Sequence, residues 1–257
     1  MHALWTAASG MEALKFKIDV IANNLSNTQT EGFKRSDAEF TDLLYQYYRR
    51  PGTVDNPSGI HFGLGARIAG TNVVHQQGSL QATNNNLDWA IDGIGFFSVL
   101  DPISGQRFYT RKGLFKLNNN GQIVNADGYT LDPSITIPPG TTDFHIDRTG
   151  VFWATQPGTG LLSQLGNITL TRFPNPAGLE ARGNSLFAET TASGSPEQGQ
   201  PAQNGFGQIH GRALESSNVQ IVTEMVDLIT TQKAFDTNSK VITVADKMMD
   251  TANNLSR

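Results

Sequence analysis

Histidine is the side chain best suited to metal binding and proton transfer near neutral pH. The chain has five: His2, His61, His75, His145 and His210. None stands in an H-E-x-x-H arrangement or another ligand spacing, so each is expected to be a surface or turn residue. Gly63-Leu64-Gly65 lacks a third glycine and a following helix, and Gly205-Phe206-Gly207 reaches Gly211 at the wrong spacing. Neither supports nucleotide binding. Lys116 to Asp127 faintly resembles a calcium loop through Asn118, Asn120 and Gly121, but Lys116 at the first ligand position would repel the ion. Asn118-Asn119-Asn120-Gly121 is therefore predicted to be a hairpin turn. There is no G-x-S-x-G elbow and no cysteine, which leaves no serine elbow, thiolate nucleophile, disulfide or thiolate metal site. Tyr45, Tyr47, Tyr48, Arg49 and Arg50 could stack on bases, but the formal net charge of -4 argues for packing at a protein interface instead. No catalytic, metal or cofactor residue is expected, and the chain is expected not to be an enzyme.

The elements that carry these residues suit a scaffold. At 257 residues the chain can form one large domain or two small ones. Only 16% of residues are charged and 26 are glycine, which implies many turns and a small core for the surface. Nucleic acid is not an expected partner. The longest apolar run, around Ile94 to Leu100, is far below the roughly 20 residues of a bilayer span, so no direct membrane insertion is expected. Glu12, Lys15, Lys17 and Asp19 interrupt the first apolar stretch, and no Lys or Arg precedes it, so no cleaved Sec-type signal is expected there.

Leu4, Ala7, Met11, Leu14, Ile18, Ile21 and Leu25 recur at alternating steps of 3 and 4. That is the seam of a helix that packs along another helix. The spacing predicts a helix from Leu4 to about Asn27, about 35 Å long. Gly10 costs it about 1 kcal/mol relative to Ala, so outside support is required. A shorter helix is predicted over Phe33 to Tyr48, on Phe33, Phe40, Leu43, Leu44 and Tyr47. Pro51 to Gly65 is expected to be a long extended, functional loop.

From Ala66 to Gly211 the period changes to 2, with turns such as Asn120-Gly121, Asp127-Gly128 and Pro139-Gly140. Candidate strands are 67–75, 87–91, 96–100, 107–111, 114–117, 122–124, 135–137, 144–147, 151–154 and 168–173. Many short strands in succession indicate an all-β domain. Ser193 to Gly207 is expected to be a linker. Ser217 to Leu255 returns to helix, about 57 Å long, capped by Ser216, Ser217 or Asn218. Its seam holds Ile221, Met225, Leu228, Phe235 and Ile242, with Gln232 and Ser239 at the other two positions. Val219, Val222, Val226 and Ile229 lie beside that seam, so one partner helix cannot cover the apolar arc, and assembly with further copies is expected. The expected fold is mixed α and β: long N- and C-terminal coiled-coil helices with an inserted all-β domain. Its parts are 1–30 (inner helix), 31–75 (connecting segment with the loop), 76–210 (outer all-β domain) and 211–257 (inner helix).

Ala22-Asn23-Asn24-Leu25-Ser26-Asn27, followed by Thr30-Glu31-Gly32-Phe33-Lys34, resembles the rod, hook and hook-associated axial proteins of bacterial flagella. The residues that carry the motif are Asn23, Asn24, Leu25, Asn27, Gly32, Phe33 and Lys34. Gly95-Phe96-Phe97, the stretch Tyr109 to Phe115, and Asn125 to Tyr129 are similar to the family's central β motifs, and Thr231 to Phe235 with Asn238-Ser239-Lys240 to its C-terminal helix. Ala3 to Met11, Asn175 to Leu179, Leu186 to Thr190 and Leu214 to Val219 favour the distal rod members.

This resemblance implies a structural subunit that polymerises helically into a rigid hollow shaft, passing motor torque to the hook. It implies an inner tube of terminal helices and an outer β domain. The segment after Leu44, including Tyr47, Tyr48, Arg49, Arg50, Pro51 and Gly52, resembles the stretch associated in the family with a stiff rod. The implied partners are further copies of the chain, proximal rod proteins, hook protein, the L-ring and P-ring bushing proteins and the flagellar type III export apparatus. The implied location is the periplasmic rod of the basal body, reached without a cleaved signal. The alternatives are a proximal rod paralogue, or a glycan-binding β domain on a helical stalk.

Overall fold

The computed structural model describes residues 2–49, 59–141, 143–156 and 161–255. The chain is mixed α and β, with two long helices and many short strands. It divides into two compact units. One comprises Met1–Ser26, Ser36–Val73 and Gln220–Arg257; the other comprises Asn27–Arg35 and Val74–Val219.

The first unit is built on α1 (His2–Ser26) and α2 (Ile221–Leu255), which pack against each other. Each of the seven α1 seam residues is at least half-buried, and Ala7 and Ile21 are fully buried. Gly10 lies on the contact. A Cβ there would come within 3.1 Å of the Asn238 amide nitrogen, so the bare glycine lets the helices approach closely. The predicted helix over Phe33 to Tyr48 is not formed. In its place are β1 (Ser36–Asp42) and β2 (Tyr45–Arg49), paired antiparallel with β4 (Ala66–Val73) and β3 (Ile60–Gly63). Leu43 N–H donates to the Gly65 carbonyl at 2.9 Å, and Leu64 N–H to the Leu44 carbonyl at 3.2 Å, joining the two pairs into one ribbon. The physical reason is residue type: aromatics and β-branched residues such as Phe40, Thr41, Tyr45, Tyr47 and Tyr48 favour strands. Part of the predicted loop is therefore strand. Pro51 to Ser58, with Arg50, lies outside the described residues.

The second unit consists of strands and one short 3-10 turn among the described residues. Its hub is the strand Phe96–Leu100, which pairs with Arg107–Thr110, Thr130–Asp132 and Leu170–Arg172 in a nine-stranded sheet. Side chains alternate across a strand. Phe97 enters the main core with Trp89, Phe115 and Phe152, while Phe96 meets Phe173 and Phe187 in a separate cluster. A three-stranded sheet (Phe144–Ile146, Val151–Thr155, Leu162–Asn167) and two strand pairs complete the unit. In one pair Trp89–Asp92 lies against Gln208–Gly211; in the other Leu80–Ala82 lies against Ala213–Glu215.

Several expectations are corrected. Residues 135–137 form no strand, although Ile135 and Ile137 are buried and Thr136 makes an isolated bridge to Gln122. Ser193 to Gly207 is no linker: Ser193 is buried, and Glu197–Gly199 pairs with Leu170–Arg172. Asn118 to Gly121 is the predicted turn, closed by Gly121 N–H donating to the Asn118 carbonyl at 3.0 Å between paired strands. α2 starts at Ile221 and not at Ser217; of the proposed caps, Asn218 is engaged by Arg35, Val74 and Gln76, and Ser217 Oγ accepts the Val219 N–H at 3.3 Å ahead of the helix. His75 is no surface residue: both its ring nitrogens are buried.

Candidate functional site

Three arrangements stand out. The first is the face of α2. Leu228, Phe235 and Ile242 are half-buried, in line with Glu224 and Thr231, which are buried. Ile221 and Met225 lie outside this line and are each 50% exposed. The buried row thus begins with a polar residue, Glu224, where the sequence pattern placed Ile221 and Met225. Beyond it Val222, Val226, Ile229, Val241, Val244 and Met248 remain exposed.

The second arrangement surrounds Asn24, which is 1% exposed and lies in the last turn of α1. Its Nδ2 donates to the Ser36 carbonyl at 2.8 Å and to Glu224 Oε2 at 3.2 Å. Its Oδ1 accepts the Ser36 N–H at 2.9 Å. One amide side chain therefore ties the end of α1, the start of β1 and the first turn of α2. Glu224 also suits that first turn, where the helix dipole favours a negative charge. Asn23, beside it, is exposed, and Leu25 is half-buried.

The third lies within the strand-built unit, where Gly32–Arg35, Val74–Gly78 and Glu215–Asn218 meet. Lys34 and Glu215 form an ion pair at 2.5 Å with both side chains fully buried, and Arg111 joins the other Glu215 oxygen at 3.2 Å. Glu215 also accepts the Gly78 N–H at 2.9 Å, and Lys34 donates to the Gln76 carbonyl at 2.8 Å. Asn218 repeats the stitch: it accepts the Arg35 N–H at 2.7 Å and donates to the Val74 and Gln76 carbonyls. Burial pulls Lys34 and Arg111 below their ordinary ranges, and Glu215 opposes it in both cases. Gly32 has φ of 68°, and a Cβ there would strike the Lys112 backbone at 2.6 Å, so this position requires glycine. Phe33 is half-buried beside it, and Asn27 Oδ1 accepts the Thr30 hydroxyl at 3.1 Å. The sequence pattern singled out Lys34 and Gly32. It took Asn218 for a helix cap, and it missed Glu215 and Arg111, whose only signal was their place in the stretches Leu214 to Val219 and Tyr109 to Phe115.

The remaining candidate residues fall elsewhere. Tyr47, Tyr48 and Arg49 are exposed on β2, with the His61 ring between Tyr45 and Tyr47 at 5.5 Å from each. Arg50, Pro51 and Gly52 lie outside the described residues. His145 lines a surface hollow of about 390 Å³ with Asn86, Asp143 and Arg212. There the polar groups pair with one another, Arg212 to Asn86 at 2.6 Å and Asn86 to Asp143 at 3.2 Å. No described helix is long and apolar enough to cross a membrane.

A helix pair with uncovered apolar surface, in a chain whose other unit is built of strands, defines a structural interaction protein. Family models agree in three places. "Flagella basal body rod protein" matches residues 4–34, "Flagellar hook protein FlgE/F/G D1 domain" residues 90–154, and "Flagellar basal body rod FlgEFG protein C-terminal" residues 210–255. The flagellar basal-body rod protein FlgG of Borreliella burgdorferi is 44% identical over 264 residues, covering 100% of this chain and 99% of its own. FlgG of Agrobacterium fabrum is 43% identical over 254 residues, covering 96% and 97%. The crystal structure of Helicobacter pylori flagellar hook protein FlgE2 matches 70% of this chain and 56% of its own at 12% identity, with a TM-score of 0.26, too low to carry an argument.

The chain belongs to the flagellar basal-body rod proteins. It is a structural subunit of the rod in the basal body, and the proximal-rod alternative is not favoured, since relatives 42–44% identical that match over almost their full length are FlgG proteins.

Proposed function

We propose that this subunit forms the distal rod: it polymerises helically with copies of itself into a rigid hollow shaft that passes motor torque to the hook. The observation that carries this reading is the exposed apolar surface of α2. Val222 is 76% exposed, and Val226, Ile229, Val244 and Met248 are each about half exposed or more. Apolar surface of that extent along one 35-residue helix is costly in water and is covered by other copies in a coiled-coil inner tube. Leu4, Ala7, Met11, Leu14, Ile18, Ile21 and Leu25 hold α1 to its partner within the subunit, and Ile221 and Met225 join the outward-facing set. The ribbon supports the same reading. A two-stranded pair by itself is marginal in water, and the β2–β3 half of the ribbon, beyond the β1–β4 half that packs on α1, exposes Tyr45, Tyr47, Tyr48 and Ile60. In the polymer it packs against neighbours and stiffens the shaft.

The strand-built unit then faces outward, toward the L-ring and P-ring bushing. A chain in which only 16% of residues are charged forms few fixed ion pairs with a ring it must turn against. Proximal rod proteins and hook protein meet the two ends. The subunit passes unfolded through the type III export apparatus to the periplasmic rod. A glycan-binding unit on a helical stalk would leave the α2 surface without a role.

The test is the paired substitution Val222→Glu and Val226→Glu in the full chain. Filament formation by electron microscopy and motility in a strain lacking the native subunit should both be lost, while circular dichroism and export remain. Normal filaments from the paired variant would sink the proposal.

A further inference from the structure

His75 occupies a place with no provision for a charged ring. Both ring nitrogens are buried, and among the described residues neither has a hydrogen-bond partner. The ring stands edge-on to Phe96 at 5.5 Å and Phe187 at 5.2 Å. The charged groups bearing on it are Lys34, from the segment after α1, and Arg111, which follows the strand Arg107–Thr110. Phe96 and Phe187 bring no charge. The only carboxylate of the group is Glu215, and its two oxygens are already taken by Lys34, Arg111 and the Gly78 N–H. His75 is also part of the passage that these residues hold. Val74 N–H donates to the Arg35 carbonyl at 2.8 Å, and the Val74 and Gln76 carbonyls accept from Asn218.

We propose that His75 is an acid-sensitive release built into this joint: its protonation sets a third cation against the Lys34–Glu215–Arg111 group and frees the 74–78 passage. In the folded unit the ring is held down to about 4, by burial first and then by Lys34 and Arg111. The Pro176 backbone favours the charged ring but makes no hydrogen bond of normal geometry to it. In the unfolded chain the ring titrates near the ordinary 6.5. Between those values the unfolded chain binds a proton that the fold refuses. The stability linked to His75 is therefore complete above pH 6.5, falls as pH drops toward 4, and is gone below it. At its limit the folded-to-unfolded ratio changes by about 300-fold.

The test compares the full chain with His75→Phe, which suits the aromatic surroundings, in unfolding experiments from pH 7.5 to 4. The native chain should lose ratio relative to the variant by up to about 300-fold, with the two curves parallel above pH 7. Parallel curves throughout would overturn the proposal. Two measurements on the native chain do not depend on the variant's folding. With the histidines isotopically labelled, one ring should titrate well below 6; five rings titrating near 6.5 would refute it. Hydrogen exchange at pH 4.5, corrected for intrinsic rates, should show protection lost at Val74 and Gly78 while Phe97 and Val99 keep theirs. Equal loss everywhere, or none, would also refute it.

Discussion

Asn24 holds Ser36 by both of its backbone polar groups, donating to the carbonyl at 2.8 Å and accepting the N–H at 2.9 Å. An amide side chain has the same donor–acceptor geometry as a peptide unit, so this contact works like one rung of a strand ladder made by a helix. It lets the chain leave α1, pass through Asn27–Arg35 and enter β1 in a fixed register. The third contact, to Glu224, satisfies a carboxylate that is 2% exposed. The neighbouring asparagine, Asn23, is exposed.

Replacing Asn24 with Ala should destabilise the helical unit by roughly 2–3 kcal/mol, since buried groups on Ser36 and Glu224 lose partners. Urea unfolding followed by far-ultraviolet circular dichroism measures this. Asn24→Asp should cost more. It keeps the acceptor for Ser36 N–H, cannot donate to the carbonyl, and places a second carboxylate beside Glu224. If the Asp variant were as stable as the native chain, the clamp would have no energetic role.

Glu215→Gln should cost the strand-built unit roughly 3–5 kcal/mol, because it leaves the buried Lys34 and Arg111 cations without an anion. Lys34→Met should cost less, as Arg111 and the Gly78 N–H still satisfy Glu215. The buried Trp89 provides the fluorescence signal for both. The predicted order is the test: a Lys34→Met variant weaker than Glu215→Gln would mean the lysine acts through packing and not charge.

The α1 seam was legible because a helix that packs on a helix repeats its apolar residues every 3 or 4 positions. The strand-built unit was legible for a similar reason, through period 2 and turn residues such as Asn120-Gly121. The ribbon was not. Phe40, Leu44, Tyr45, Tyr47 and Tyr48 are all exposed, so β1 and β2 have no buried face to impose a period-2 pattern, and Phe40, Leu43, Leu44 and Tyr47 mimic a helical one. His75 was misread because its neighbours in the fold, Phe96 and Phe187, are distant in sequence. Glu215 was missed, and Asn218 taken for a helix cap, because a polar residue gives no sequence signal of burial; only the partners in the fold do. The α2 seam was half right. Its later members, Phe235 and Ile242, turn inward, whereas Glu224 displaces Ile221 and Met225 because it is the residue that answers Asn24.

Gly10 offers a test of helix contact against helix propensity. An Ala there gains about 1 kcal/mol of intrinsic helix preference. Its Cβ would sit 3.1 Å from the tip of the flexible Asn238 side chain, which can turn away at small cost. Gly10→Ala should therefore change stability by no more than about 1 kcal/mol, and Gly10→Ala with Asn238→Ala should stabilise. Gly10→Leu forces the helices apart and should cost about 1–3 kcal/mol. Thermal unfolding of the three variants decides it: a tolerated leucine would mean that the two helices do not pack closely at this point.

Tyr109 predicts an alkaline limb of the stability curve. Its ring packs on Phe173 at 4.8 Å, and its hydroxyl donates to Glu189 at 3.2 Å. Burial, and next the Glu189 carboxylate, push its pKa up from 10.0 to about 12. The fold keeps the proton that the unfolded chain gives up first. The linked stability is thus fully present below pH 10, declines as pH rises toward 12 and is absent above it. Tyr109→Phe removes the titrating group and keeps the ring. Its melting temperature should fall less steeply than that of the native chain between pH 10 and 12, and match its slope between pH 7 and 9. Equal slopes in the alkaline window would show that the phenol ionises as readily in the fold as in the unfolded chain.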